Sequence, residues 1–190
     1  MALIQSPSTG RRAEVSFDNR LKTRAITESD EAHASETLTL YNFNSGSITL
    51  TSANPSAVLF LMNNSTVNYL AKVQGVVIDT PIGPGTGSVL VEFFRNPGSI
   101  SSGSIVETPN MNFGSLKAPV VSAQLGGEGT TFDNGQIFFS GYVPTGRTVT
   151  GTVPITLPPG SSLGMQITPP PGNTFLRVTP FVRFFDLLEE

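Results

Sequence analysis

Cysteine and tryptophan are absent from these 190 residues, and histidine occurs once, at His33. Without cysteine there is no disulfide, no thiolate nucleophile and no zinc site of ordinary composition. The redox compartment stays open. A Ser-His-Asp arrangement would have to use His33, which sits in a polar leader rather than on a rigid body. Long hydrophobic runs are lacking too. The longest is Ala57–Met62, far below the roughly 20 residues that a spanning helix requires. No apolar stretch of the secretory kind follows Met1, so no leader peptide is expected. The sequons in Asn63-Asn64-Ser65-Thr66 carry no meaning without one. Charge is scarce in the body: between Leu38 and Ala71 the only ionisable side chains are Tyr41 and Tyr69.

The charges that are present are sorted by position. The first 36 residues hold five cations (Arg11, Arg12, Arg20, Lys22, Arg24) and six anions (Glu14, Asp18, Glu28, Asp30, Glu31, Glu36). A net charge of −3 gives no bulk attraction to nucleic acid. The basic cluster is itself neutralised by interleaved acids, which suits protein–protein docking better than a nucleic-acid arm. Apolar residues in this stretch (Val15, Phe17, Leu21, Ile26) follow no period, and Thr27–Ala32 reads at most as a short capped turn. Such a segment buries too little surface to fold alone. Residues 1–36 are therefore expected to form an extended anchoring arm, and residues 37–190 the folded domain.

From Thr37 onward the apolar period becomes two. Ile48 and Leu50 alternate with hydroxyl residues. Val89, Val91 and Phe93 share one face, as do Val153, Ile155 and Leu157, then Leu163, Met165 and Ile167. Near the end Leu176, Val178, Val182 and Phe184 oppose Phe175, Arg177, Thr179, Phe181 and Arg183. Alternation over short runs marks half-buried strands. The 19 glycines and 15 prolines cluster in turn signals between the runs, such as Asn96-Pro97-Gly98, Asn134-Gly135 and Pro158-Pro159-Gly160. Seven or eight strands with no amphipathic helix predict an all-β antiparallel sandwich of jelly-roll type. Residues 98–135 are the least regular, with loops around one or two short strands expected.

Phenylalanine occurs as adjacent pairs at Phe93-Phe94, Phe138-Phe139 and Phe184-Phe185. Strand neighbours point to opposite faces, so one ring of each pair fills the core and the other points away. Each outward ring forgoes roughly 1.5–3 kcal/mol of burial. Either strand ends and loops cover these second rings, or a neighbouring subunit or the N-terminal arm does. The second reading makes Phe94, Phe139, Phe181 and Phe185 candidate subunit-interface residues.

Other candidate sites are weaker. A calcium site around Glu128, Asp133 and Asn134 lacks EF-hand spacing, and a turn with solvated charges explains those residues. Carboxylate pairs for glycoside hydrolysis (Glu92 with Glu107, Glu128 with Asp133) have nothing in their spacing to mark them. The segment Gly83-Pro84-Gly85-Thr86-Gly87-Ser88 lacks the lysine of a phosphate loop and is followed by a strand pattern instead of a helix. No catalytic residue, metal or cofactor is assigned.

Several segments resemble virion structural proteins of tailed bacteriophages. Phe17-Asp18-Asn19-Arg20-Leu21-Lys22-Thr23-Arg24-Ala25-Ile26-Thr27-Glu28 is similar to an N-terminal signature of that group. Within the body, Tyr41-Asn42-Phe43-Asn44-Ser45-Gly46, Arg95-Asn96-Pro97, Asn112-Phe113-Gly114-Ser115 and Leu157-Pro158-Pro159-Gly160-Ser161-Ser162-Leu163-Gly164 carry the resemblance. It implies a jelly-roll capsid decoration, or cement, protein: a homotrimer on the outer capsid surface, made in the host cytoplasm, bridging major capsid subunits without chemistry. Docking to the shell is expected of arm residues Arg11, Arg12, Phe17, Asn19, Arg20, Leu21 and Arg24. No nucleic-acid or membrane partner is expected. The alternative is a host-recognition module of a head or tail fibre, binding surface glycan through loops such as 98–135, with Tyr69 and Tyr142 at the site.

Overall fold

The computed structural model describes residues 3–5, 12–15, 21–22, 40–44, 46–79, 87–119, 121–151, 154–172 and 175–187. The chain divides into two units, Met1–Asp30 and Glu31–Glu190. In the first, β1 (Leu3–Gln5), β2 (Arg12–Val15) and β3 (Leu21–Lys22) form a three-stranded antiparallel sheet. Leu3 stands opposite Glu14, and Val15 opposite Leu21. These three short strands lie within the stretch expected to form the extended arm. The alternation Arg12-Ala13-Glu14-Val15 is too brief to register as a period among scattered charges. Of the expected docking residues, Arg12 is in β2 and Leu21 in β3. Arg11, Phe17, Asn19, Arg20 and Arg24 lie outside the described residues, as do His33, the turn at Thr27–Ala32 and the glycine-rich stretch 81–86.

The second unit is a sandwich of two antiparallel sheets. The front sheet has the order β10 (Ser104–Val106), β11 (Val121–Leu125), β6 (Ser56–Asn63), β16 (Ser162–Thr168), β8 (Ser88–Arg95), β13 (Gln136–Pro144). The back sheet centres on β7 (Asn68–Asp79) and β17 (Leu176–Leu187). Strands β14 (Thr148–Gly151) and β15 (Ile155–Leu157) flank β7, and β4 (Leu40–Asn44) and β5 (Ile48–Leu50) flank β17. The chain changes sheet at each step from β6 to β7 to β8, and β16 arrives late to fill the gap between β6 and β8. That interleaving of distant strands is the crossing pattern of a jelly roll.

One core lies between the sheets. The expected faces are the observed ones: Val89, Val91, Phe93, Leu163, Met165 and Ile167 point inward from the front sheet, and Leu176, Val178, Val182 and Phe184 from the back. Phe184 stacks on Tyr41 at 5.5 Å between ring centroids and meets Tyr69 edge-on at 5.8 Å, a geometry that adds to plain area burial.

Strand β6 shows no alternation because both its faces are covered. Leu59 and Leu61 face the main core, while Ala57 and Phe60 pack with Ile100 on the outer side. Register shifts by one residue where Met165 faces Leu59 and Gln166 faces Ala57. Val58 is the extra residue of this bulge, so Val58 and Leu59 both enter the core. The cover on the outer side is β9 (Ser99–Ile100) paired with β12 (Phe132–Asp133). Residues 98–135 thus hold four short strands (β9 to β12), more than the one or two expected. Each is two to five residues long, too short for a period to emerge.

Candidate interaction surface

The edges of the two sheets are not alike. A bare edge strand offers unpaired N–H and C=O groups to another chain, and proteins blunt such edges with short strands, charge or a covering segment. Edges β5, β10, β14 and β15 are only three or four residues long. Strand β4 is strapped: the Asn42 amide donates to the Pro109 carbonyl at 3.1 Å and the Met111 amide to the Leu40 carbonyl at 2.8 Å.

Strand β13 is different. It runs nine residues, pairs on one side only with β8, and reads Gln-Ile-Phe-Phe-Ser-Gly-Tyr-Val-Pro without a single charge. Ile137 pairs with Phe94 and Phe139 with Phe93, which leaves Phe138 as the extra residue of a bulge. The bulge breaks the in–out alternation, so Ile137, Phe138 and Phe139 are each about half exposed. Tyr142 is 75 % exposed. No strand among the described residues covers the outer edge of β13.

Beside β13 opens a groove of about 470 Å³ between the sheet margins, floored by Leu157 and Leu163 and walled by Phe138, Pro154, Ile155 and Pro158. Exposed Arg95 stands on its rim.

No protein-family model matches this chain, and no curated protein does either.

The three phenylalanine pairs have three different fates. Phe93 is in the core, and its neighbour Phe94 is partly covered by Phe132 at 5.1 Å between centroids. Phe184 is in the core, and Phe185 is buried beneath Met111 together with Leu40 and Leu70. Only the Phe138-Phe139 pair leaves both rings substantially exposed. Phe181 is partly buried on Gly75, where a Cβ would come within 2.5 Å of its ring. Of the four residues expected at a subunit interface, Phe139 is therefore the one presented at a bare edge. Phe185 is closed off by the chain's own 109–119 strap, an arrangement set by a loop far away in sequence. Sequence reasoning did not assign Ile137 or Phe138 to an interface, and it gave Tyr142 to a glycan site instead of to this edge. Their signal was the lack of any charged residue across a strand that ends at an edge.

The candidate chemical groups are dispersed. Glu92 Oε2 accepts from the Gln166 side-chain Nε2 at 3.1 Å on the front sheet, and Glu107 follows β10, four strand positions away. The Glu128 carboxylate accepts from Thr51, 3.1 Å from its amide and 2.7 Å from its hydroxyl. Hydrogen bonds from Ser52 and Thr51 hold its pKa below the usual 4.5. Asp133 Oδ1 accepts from the neighbouring Asn134 Nδ2 at 3.0 Å. Among the described residues no three His, Cys, Asp or Glu side chains gather as metal ligands would. Tyr69 is buried in the core, so it cannot touch a glycan; Tyr142 is accessible.

Proposed function

We propose that this chain is a non-enzymatic virion structural protein that decorates and cements a tailed-phage capsid, associating with copies of itself as a homotrimer and bridging major capsid subunits. The observation that carries the reading is β13, a long, uncharged, half-bared apolar edge in a sandwich whose other edges are short or strapped. An apolar edge of that kind favours assembly, since a monomer would leave it open to indiscriminate pairing. The segment resemblance given above supplies the particle. Residues 1–36 are the part assigned to grip the shell, with Arg11, Arg12, Phe17, Asn19, Arg20, Leu21 and Arg24 in contact. Many weak identical contacts on one particle then add up through effective concentration. Cementing requires no bond making, only joints that resist separation.

The test is a deletion. A chain lacking residues 1–36 is expected to remain a folded oligomer and to lose binding to expanded capsids in a co-sedimentation assay. Undiminished binding by the truncated chain would overturn the reading. A second reading, recognition of host-surface glycan, draws on the exposed Tyr142 ring, an aromatic platform of the sort that stacks on sugars. Copy number separates the two: hundreds per particle fit decoration, a handful fit a fibre tip.

A further inference from the structure

The segment joining β10 to β11 carries the two most exposed large apolar side chains on the described surface, Phe113 (97 %) and Leu116 (102 %). They are not on a slack loop. The Asn112 amide donates to Asn110 Oδ1 at 2.9 Å, the Gly114 amide to Asn112 Oδ1 at 3.0 Å, and the Ser115 amide to the Asn112 carbonyl at 2.9 Å. Lys117 then ties the far end down through a 3.2 Å ion pair with Asp186 of β17. The result is a braced knob at the β10/β4 side of the sandwich. The groove under Phe138 lies at the opposite side, between β13 and β15. Five strand spacings separate β10 from β13, roughly 24 Å.

Resting on the self-association proposed above, we infer that the contact between copies is head-to-tail: the Phe113/Leu116 knob of one copy seats in the groove beneath Phe138 of the next. Three features select a second copy as the occupant. A groove of about 470 Å³ is in the size class that holds a drug-sized molecule, ample for a benzyl and an isobutyl group. With Lys117 held by Asp186, exposed Glu107 is the charge left beside Leu116, and it is opposite in sign to the exposed Arg95 on the rim of the groove. Knob and groove stand on different margins of the sandwich, so a contact between them is heterologous, and it closes into a ring where the rotation it imposes returns to the first copy. Pairing of β13 with β13 across a two-fold axis would leave the knob unused.

The test uses two full-length surface variants. Phe113→Asp with Leu116→Asp removes the knob and keeps the groove; Phe138→Asp puts a charge on the apolar wall of the groove and keeps the knob. All three positions are exposed, so both variants are expected to give the wild-type circular dichroism spectrum. Light scattering is expected to show an oligomer for the wild type and a 20.1 kDa single chain for either variant alone. An equimolar mixture is expected to stop at a heterodimer, because only one intact knob and one intact groove remain. An oligomeric wild type whose knob variant keeps the same mass overturns the head-to-tail contact and leaves self-association standing. The same holds if only the groove variant keeps its mass. A wild type that is itself a single chain sinks the assembly reading as well.

Discussion

The ring of Phe132 occupies the space that a side chain on Gly164 would need. A Cβ at position 164 would stand 2.6 Å from Phe132 Cζ, and the same ring packs on Phe94. The glycine in mid-strand β16 is what allows β9 and β12 to close over the outer face of the front sheet. Gly164→Ala is expected to push Phe132 outward and destabilise the domain by about 1–3 kcal/mol, the usual cost of overpacking. A lower midpoint in denaturant titration, with an unchanged slope, is the signature to look for; an unaltered midpoint would mean the ring moves aside freely.

Asn63 is fully buried and uses its whole amide. Its Nδ2 donates to the carbonyls of Val67 and Leu157, both at 2.8 Å, and its Oδ1 accepts from Ser65, 2.9 Å from the amide and 2.7 Å from the hydroxyl. This side chain joins the end of front-sheet β6 to back-sheet β15. Asn63→Ala strands several buried polar groups, and a loss of about 2–3 kcal/mol is expected from thermal or chemical unfolding. The same burial closes the Asn63 sequon to any glycan on the folded chain.

Tyr41 carries a hydroxyl that is buried with no hydrogen-bond partner among the described residues. Burial, and then the nearby Asp186 carboxylate, push its pKa to about 12 from the ordinary 10.0. Between those two values the unfolded chain gives up the phenolic proton while the folded chain keeps it, so stability falls as pH rises through that window. Tyr41→Phe is expected to remove this part of the alkaline loss. At pH 7 it should cost under about 1 kcal/mol or even stabilise, because an unsatisfied polar group has gone. Urea midpoints at pH 7, 10 and 12 decide the matter.

Glu128 gives the opposite limb. Its folded pKa is lowered, first by the Ser52 side chain and then by Thr51. The contribution is therefore complete above the ordinary 4.5 and disappears as pH falls through the lower folded value. The Thr51 amide resonance is expected to titrate with a midpoint below 4.5, and Glu128→Gln should abolish that titration. A midpoint at or above 4.5 would show that the loop anchor does not form in solution.

Strand faces were legible where one side of a strand is core and the other is not. Leu163, Met165 and Ile167 announce β16, and Leu176 to Phe184 announce β17, because burial on a single face writes a period of two. Strand β6 was illegible as an alternating strand, since Phe60 is as buried as Leu61. The bared edge was equally hidden: Gln136–Pro144 looks like any apolar strand until its place at the end of the front sheet is known. The knob residues Phe113 and Leu116 sit in a segment without period, and only the hydrogen-bonded turns and the Lys117–Asp186 tie reveal that they are held out.

Composition and alternation alone settled that this is an all-β chain with most of its charge outside the core strands, because those properties depend on neighbours within a few residues. Which ring of each phenylalanine pair is sheltered was decided only by tertiary structure. Phe94 owes its cover to Phe132, and Phe185 to Met111, both distant along the chain. Phe139 has no such cover because β13 is the last strand of its sheet. A period of two chooses the face; what lies over that face is fixed by segments that the local pattern does not contain.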